Sequence, residues 1–127
     1  MKPESQALFA KANRALRTAK LCLDDGDAVG SLNRAYYAAF YAASAALHQA
    51  GEMTKTHNGA MKQFHARFVA TGDLPGELGG IFRQAYEFRE RADYDAMTVF
   101  EEAGIHHLIE DVSRFIADVE RLTRQRI

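Results

Sequence analysis

Cysteine is nearly absent from this chain: Cys22 stands alone. A single cysteine closes no intramolecular disulfide, so the fold must rest on a packed core. Within a helical apolar pattern a lone thiol reads as a small buried hydrophobe. Proline is also scarce, at Pro3 and Pro75 only. That leaves room for long uninterrupted helices. No apolar run approaches the roughly 20 residues that span a bilayer. The opening segment, Met1 to Gln6, lacks the apolar centre of a signal peptide. A cytoplasmic location is therefore expected. Neither sign of charge dominates, with 16 Lys and Arg against 17 Asp and Glu, a net charge of −1. This excludes a global basic field of the kind dedicated nucleic-acid binders carry. Any RNA contact needs a local patch, or one formed where two chains meet.

The 127 residues, 47% of them hydrophobic, suit one domain spanning 1–127 with a core large enough to need no metal. The nine glycines mostly fall at breaks between helical patterns. Leu8, Ala12, Ala15, Leu16, Ala19 and Leu23 recur at helical spacing and predict a first helix from about Ser5 to Asp24. Asp27 is a good N-cap for a second helix, about Ala28 to Ala50, with Gly51 as its stop. That helix is dense in alanine around an apolar stripe of Leu32, Ala35, Tyr36, Ala39, Phe40, Ala43 and Leu47. It reads as the central element, packed on several sides.

A short third helix carries Met61, Phe64 and Phe68, capped by Thr56 or Asn58 and ended at Thr71 to Asp73. Leu74 and Pro75 open a fourth, with Pro75 in its first turn, and Ala92 to Ala96 form a turn. Thr98 to Glu101 reads as a capping box for a fifth helix that runs to the end. Five helices with short connections predict an all-α antiparallel bundle. Helices two and five would be its core pair, with helix three crossing them.

The second helix has a polar ridge beside its apolar stripe: Arg34, Tyr37, Tyr41, Ser44 and His48. At 100° per residue these side chains fall within about 80° of arc. One reading is a helix–helix or dimer contact. The other is a phosphate site, in which arginine supplies a rigid donor fork and tyrosines stack a base or donate to an oxygen. Metal chemistry finds little support. Glu102 and His106 share a face but are too few to close a site, and His106 and His107 diverge. The tail arginines, Arg121, Arg124 and Arg126, suit the negative end of a helix dipole.

The run Asn33-Arg34-Ala35-Tyr36-Tyr37-Ala38-Ala39-Phe40-Tyr41 resembles the signature of the HEPN superfamily, in its branch of small stand-alone proteins. Further matches follow in order. They are Asp25-Gly26-Asp27, Lys55-Thr56-His57-Asn58-Gly59, Phe68 to Gly72, Leu74 to Gly79, and Arg89-Glu90-Arg91-Ala92-Asp93-Tyr94. The resemblance implies a helical bundle that forms a homodimer through helix two. It further implies RNA as substrate, cleavage without metal or cofactor, and an MNT-type nucleotidyltransferase as antitoxin partner. Active relatives use an Arg-x4-6-His motif, in which the arginine holds the scissile phosphate and the histidine moves the 2′-hydroxyl proton.

Arg34 fills the arginine position here, but Tyr41 stands where the histidine is expected. A phenol, with an unperturbed pKa near 10, is a poor base at neutral pH. The expectation is therefore weak or absent endoribonuclease activity. Two alternatives stand beside it. One is a non-catalytic interaction subunit; the other is a nuclease in which Tyr41 or His48 replaces the missing base. Arg34, Tyr37, His57, Arg89 and Arg91 are the candidate phosphate contacts, with Asn33, Asp93 and Tyr94 in support. His57 either bonds locally beside a cap or lines the groove. Asp93 either fixes a turn by pairing with Arg34 or Arg89, or else Arg89 and Arg91 add cationic donors to the groove that contains Arg34.

Overall fold

The second helix is built almost wholly of small side chains, and that sets what can lie against it. In the computed structural model, which describes residues 1–54 and 56–126, five α-helices form an antiparallel bundle with no strand among the described residues. They are α1 (Pro3–Asp24), α2 (Ala28–Gln49), α3 (His57–Phe64), α4 (Gly76–Tyr94) and α5 (Glu102–Gln125). A single π-turn, His65–Val69, continues α3. Ala35, Ala38, Ala39, Ala42, Ala43, Ala45 and Ala46 of α2 are all buried. Methyl-sized side chains let α1, α4 and α5 approach the rod from different sides, and α3 reaches it as well. The most extensive packing is between α1 and α2, rather than between α2 and α5 as the pattern suggested. The short α1–α2 connection explains this, since it forces the two helices to lie side by side over their full lengths.

Side-chain caps set two of the five helix starts. The Asp27 carboxylate accepts from the Gly30 amide at 2.8 Å, and the Thr56 hydroxyl accepts from the Gly59 amide at 2.9 Å. Gly51 ends α2 with φ of 83°, in the left-handed region that glycine adopts without strain. Ser31, fully buried, donates to the Ala19 carbonyl at 2.8 Å and ties α1 to α2.

Four boundaries differ from expectation. α1 begins at Pro3, which suits the first turn because its missing N–H has no partner there. Pro75 is the N-cap of α4 and not inside it. α4 continues through Ala92 to Tyr94, so the turn starts later than Ala92. The Thr98 to Glu101 capping box does not form. Glu101 is the N-cap of α5, and the Thr98 hydroxyl instead donates to the Asp95 carboxylate. Asp95 also accepts from the Met97 amide at 3.0 Å, so a local turn takes the hydroxyl that the cap needed. Cys22 is half-buried.

The alanine packing has a measurable consequence. Ala42→Leu forces three extra carbon atoms into a seam with no exposed surface, and is expected to cost about 1–3 kcal/mol. Ala7→Leu, on an exposed position of α1, should stay within about 0.5 kcal/mol of the parent. Urea unfolding of both variants measures the difference, and equal midpoints would refute the tight-seam account.

Candidate functional site: a cation and aromatic ridge on α2

Tyr36 organises the region. Its ring has no exposed surface, yet it carries a hydroxyl that needs a partner. The partner is His57, at the first position of α3, with Tyr36 Oη and His57 Nδ1 2.5 Å apart. Thr56 caps α3 and so aims the histidine back at α2. Around this pair the rings of Tyr37, Phe82 and Tyr86 lie 5.2–6.3 Å from Tyr36. Phe40 stacks on His57 at 4.6 Å. The Arg89 guanidinium of α4 caps the cluster, 4.8 Å from the Tyr36 ring and within 6 Å of Tyr37 and Tyr86. Helices α2, α3 and α4 therefore meet on one tyrosine.

The protonation states follow from this packing. Burial pushes the Tyr36 phenol well above its ordinary value, so the hydroxyl keeps its proton. Burial, and then the nearby Arg89 charge, pulls the His57 imidazole below its ordinary value, so the ring is neutral at pH 7. A protonated phenol with no other acceptor donates to Nδ1. His57 then carries its hydrogen on Nε2, where it is a hydrogen-bond donor and not a base.

Arg34 is in a different situation from Arg89. The Arg34 Nε donates to the Asn33 side-chain oxygen at 3.1 Å, and its guanidinium lies 5.0 Å from the Tyr37 ring. Among the described residues no carboxylate forms an ion pair with it. Arg89 reaches Glu90 at 3.0 Å and Asp93 at 3.6 Å, so its charge is compensated. Asp93 thus pairs with Arg89, not with Arg34.

Tyr41 continues the ridge, 5.9 Å from Tyr37, with the Lys11 ammonium of α1 lying 4.8 Å over its ring. Contacts thus run in sequence from Arg34 through Tyr37 and Tyr41 to Lys11, and from Tyr37 through His57 and Tyr36 to Arg89.

The other candidates lie elsewhere. His48 is two helical turns beyond Tyr41 and is engaged with Glu4 at 3.1 Å. Arg91 stacks on Phe88 at 4.8 Å, with Phe100 beyond, and does not reach the ridge. Tyr94 is 76% exposed at the end of α4. The tail arginines pair with acids: Arg121 with Asp118, Arg124 with Glu120 and Arg126 with Asp73. Among the described residues no group of metal-ligating side chains converges, and no helix is long and apolar enough to cross a membrane. Sequence reasoning placed Tyr36 in the apolar stripe and passed over Lys11. The hydroxyl within an otherwise apolar stripe was the available signal for Tyr36.

The His57 environment makes a pH prediction. The folded imidazole titrates below the unfolded one, so the unfolded chain binds the extra proton first. Stability contributed by neutral His57 is present above the unfolded value of about 6.5 and is lost as pH falls through it, until the folded value is passed. Wild type should therefore lose more stability than His57→Gln between about pH 7 and about pH 5. Denaturant unfolding across that range tests this, and parallel curves for the two proteins would contradict it. Arg89→Met should raise the folded His57 pKa, read by NMR titration of the ring.

Comparison with known proteins places this geometry in a family. The model of the HEPN domain matches residues 5–122. The UPF0332 protein of Thermotoga maritima is 34% identical over 112 residues, 88% of this chain and 85% of its own. A candidate toxin, so named, of Methanocaldococcus jannaschii is 30% identical over 85% of this chain and 74% of its own. A second candidate toxin of that organism is 29% identical over 98% of this chain and 92% of its own. The five-helix bundle, the ordered motifs and these matches agree, and the chain belongs to the HEPN domain family.

Proposed function

We propose that this HEPN protein binds RNA through the α2 ridge within a prokaryotic toxin–antitoxin or defence module, with weak or absent metal-independent endoribonuclease activity. The observation that carries the reading is Arg34: a half-buried guanidinium stacked on Tyr37, with no carboxylate paired to it among the described residues. A half-buried, uncompensated arginine beside partly buried tyrosine rings attracts an anion. Phosphate fits its donor fork, and the tyrosines offer faces on which bases stack.

The toxin names of two relatives support the setting. The proposed assembly is a homodimer in which the ridges of two copies line one groove, with an MNT-type nucleotidyltransferase as partner.

The proton chemistry supports binding over cleavage. Tyr41 occupies the position of the expected histidine, His57 has its Nδ1 lone pair held by Tyr36, and His48 is committed to Glu4. None of them offers a free imidazole lone pair beside Arg34. Loss of a general base typically lowers a rate by about 10²–10⁴.

Two outcomes test this reading. Arg34→Ala should weaken single-stranded RNA binding by roughly tenfold or more, as loss of one charge-assisted contact predicts. Fluorescence anisotropy measures it, and equal affinity would overturn the reading. Tyr41→His restores an arginine and histidine on one face, and should raise Arg34-dependent cleavage in EDTA toward the 10²–10⁴ range. Products ending in 2′,3′-cyclic phosphate report that gain. Vigorous Arg34-dependent cleavage by the unaltered protein would show that a base had been overlooked.

A further inference from the structure

The seam between α1 and α2 has a register that extends the ridge onto a second helix. Glu4 meets His48 at 3.1 Å, and Lys11 lies over Tyr41 at 4.8 Å. Each helix advances seven residues between these contacts, which keeps the side chains on the same face. One more such step brings Thr18 level with Arg34. Read along the seam, the order is therefore Glu4 with His48, Lys11 with Tyr41, and Thr18 with Arg34.

Charge along this hairpin is strongly sorted. Between Ser5 and Leu23, α1 holds Lys11, Arg14, Arg17 and Lys20 and no acid. α2 holds Arg34 and no acid at all. The carboxylates sit at the two ends, Glu4 on one side and the Asp24, Asp25 and Asp27 turn on the other. In α5, by contrast, Arg114, Arg121 and Arg124 each have an acidic partner. Neither Lys11 nor Arg34 has an ion-pair partner among the described residues. A chain of net charge −1 thus carries a local basic lane, and two tyrosine rings lie in it between the two cations.

We infer that this lane is the footprint of an unpaired RNA strand, and that Lys11 of α1 is a phosphate-binding residue at the end opposite Arg34. The inference rests on the RNA-binding reading above and specifies the form of the ligand. Cations that hold the backbone, with aromatic faces between them for bases, suit single strands, because a duplex hides its bases in its own stack. Arg34 and Tyr41 are seven residues apart, roughly 10 Å along the axis at 1.5 Å per residue. That length matches about three stacked bases at ~3.4 Å each. The Glu4 and His48 pair puts a carboxylate beyond Lys11, so the strand leaves the surface there.

The test uses the full chain and a labelled heptauridylate, with anisotropy read over a range of salt concentrations. Wild type, Lys11→Gln, Lys20→Gln and Arg34→Ala are compared. Lys20 removes the same charge from the same helix, but it lines the α1–α5 cavity with Glu102, His106 and Glu110. Lys11→Gln should lower the slope of log affinity against log salt by about 0.7, the loss of one phosphate contact to a single strand. Lys20→Gln should leave the slope unchanged, and the same RNA annealed into a duplex should compete poorly.

Equal slopes for the Lys11 and Lys20 variants, with Arg34→Ala still impaired, would overturn the lane while sparing the RNA-binding reading. Strong competition by the duplex would overturn the single-strand assignment. No binding by wild type, or full binding by Arg34→Ala, would overturn both. Thermal melting of Lys11→Gln, exposed at this position, confirms that the comparison is between folded proteins.

Discussion

Close approach of four helices to one alanine-rich rod is the constraint from which the rest of this molecule follows. Where α2 presents methyl groups, its neighbours move in and leave no solvent-facing surface. Large or polar side chains of α2 can emerge only where the packing leaves a gap. Tyr36, itself fully buried, reaches toward α3 and α4, while Arg34, Tyr37 and Tyr41 are only partly buried and Tyr41 meets Lys11 of α1. The ridge is thus a consequence of packing before it is a site. Its side chains are held by a rod that cannot shift without opening several interfaces together. Positions on such an element are well suited to present a rigid donor array to a ligand.

The two arginines of the region show how partner choice separates structure from candidate function. Both stack on tyrosine, and both are largely removed from water. Arg89 is closed off by Glu90 and Asp93, and its cation over three rings binds α4 to α2. Arg34 has only the neutral Asn33 amide. Desolvating a charge is unfavourable unless an opposite charge compensates it. The charge of Arg89 is compensated within the chain, although its buried Nε has no hydrogen-bond partner among the described residues. Arg34 has no ion-pair partner among them. Under the proposed function, an incoming phosphate would supply for Arg34 the negative charge that Glu90 and Asp93 supply for Arg89.

Much of the bundle was legible because its determinants are local. Asp27, Thr56 and Gly51 act through hydrogen bonds or backbone geometry within a few residues, and all three do what their residue types suggest. Thr98 was misleading for the same local reason. A nearer acceptor, Asp95, captured the hydroxyl, and spacing cannot rank two competing partners. The π-turn after α3 leaves no periodic mark in so short a helix. At the site, Arg34, Tyr37 and Tyr41 share a face by helical arithmetic alone. The pairing of Tyr36 with His57, 21 residues away, and of Lys11 with Tyr41 depends on how separate helices dock, which one-dimensional spacing does not encode. The ordered HEPN motifs were legible at a distance only because several of them occur in the right order along the chain. The sorting of charge on α1 and α2 was in plain view and needed only the absence of acids to be noticed.

The aromatic cluster also bears on the proposed lack of a base at Tyr41, the position where the HEPN resemblance led us to expect histidine. A base must keep a lone pair free beside the phosphate-binding group. His57 is near enough to join the ridge, yet the buried Tyr36 hydroxyl needs an acceptor and takes Nδ1 for itself. Releasing that lone pair strands a phenol in the interior, and protonating the ring adds a second cation beside Arg89. Both routes oppose catalysis through the same contact that fixes α3 against α2. The hydrogen bond that fixes α3 against α2 therefore also engages the imidazole nearest the ridge, which is why the proposed function assigns the ridge to binding rather than to proton transfer.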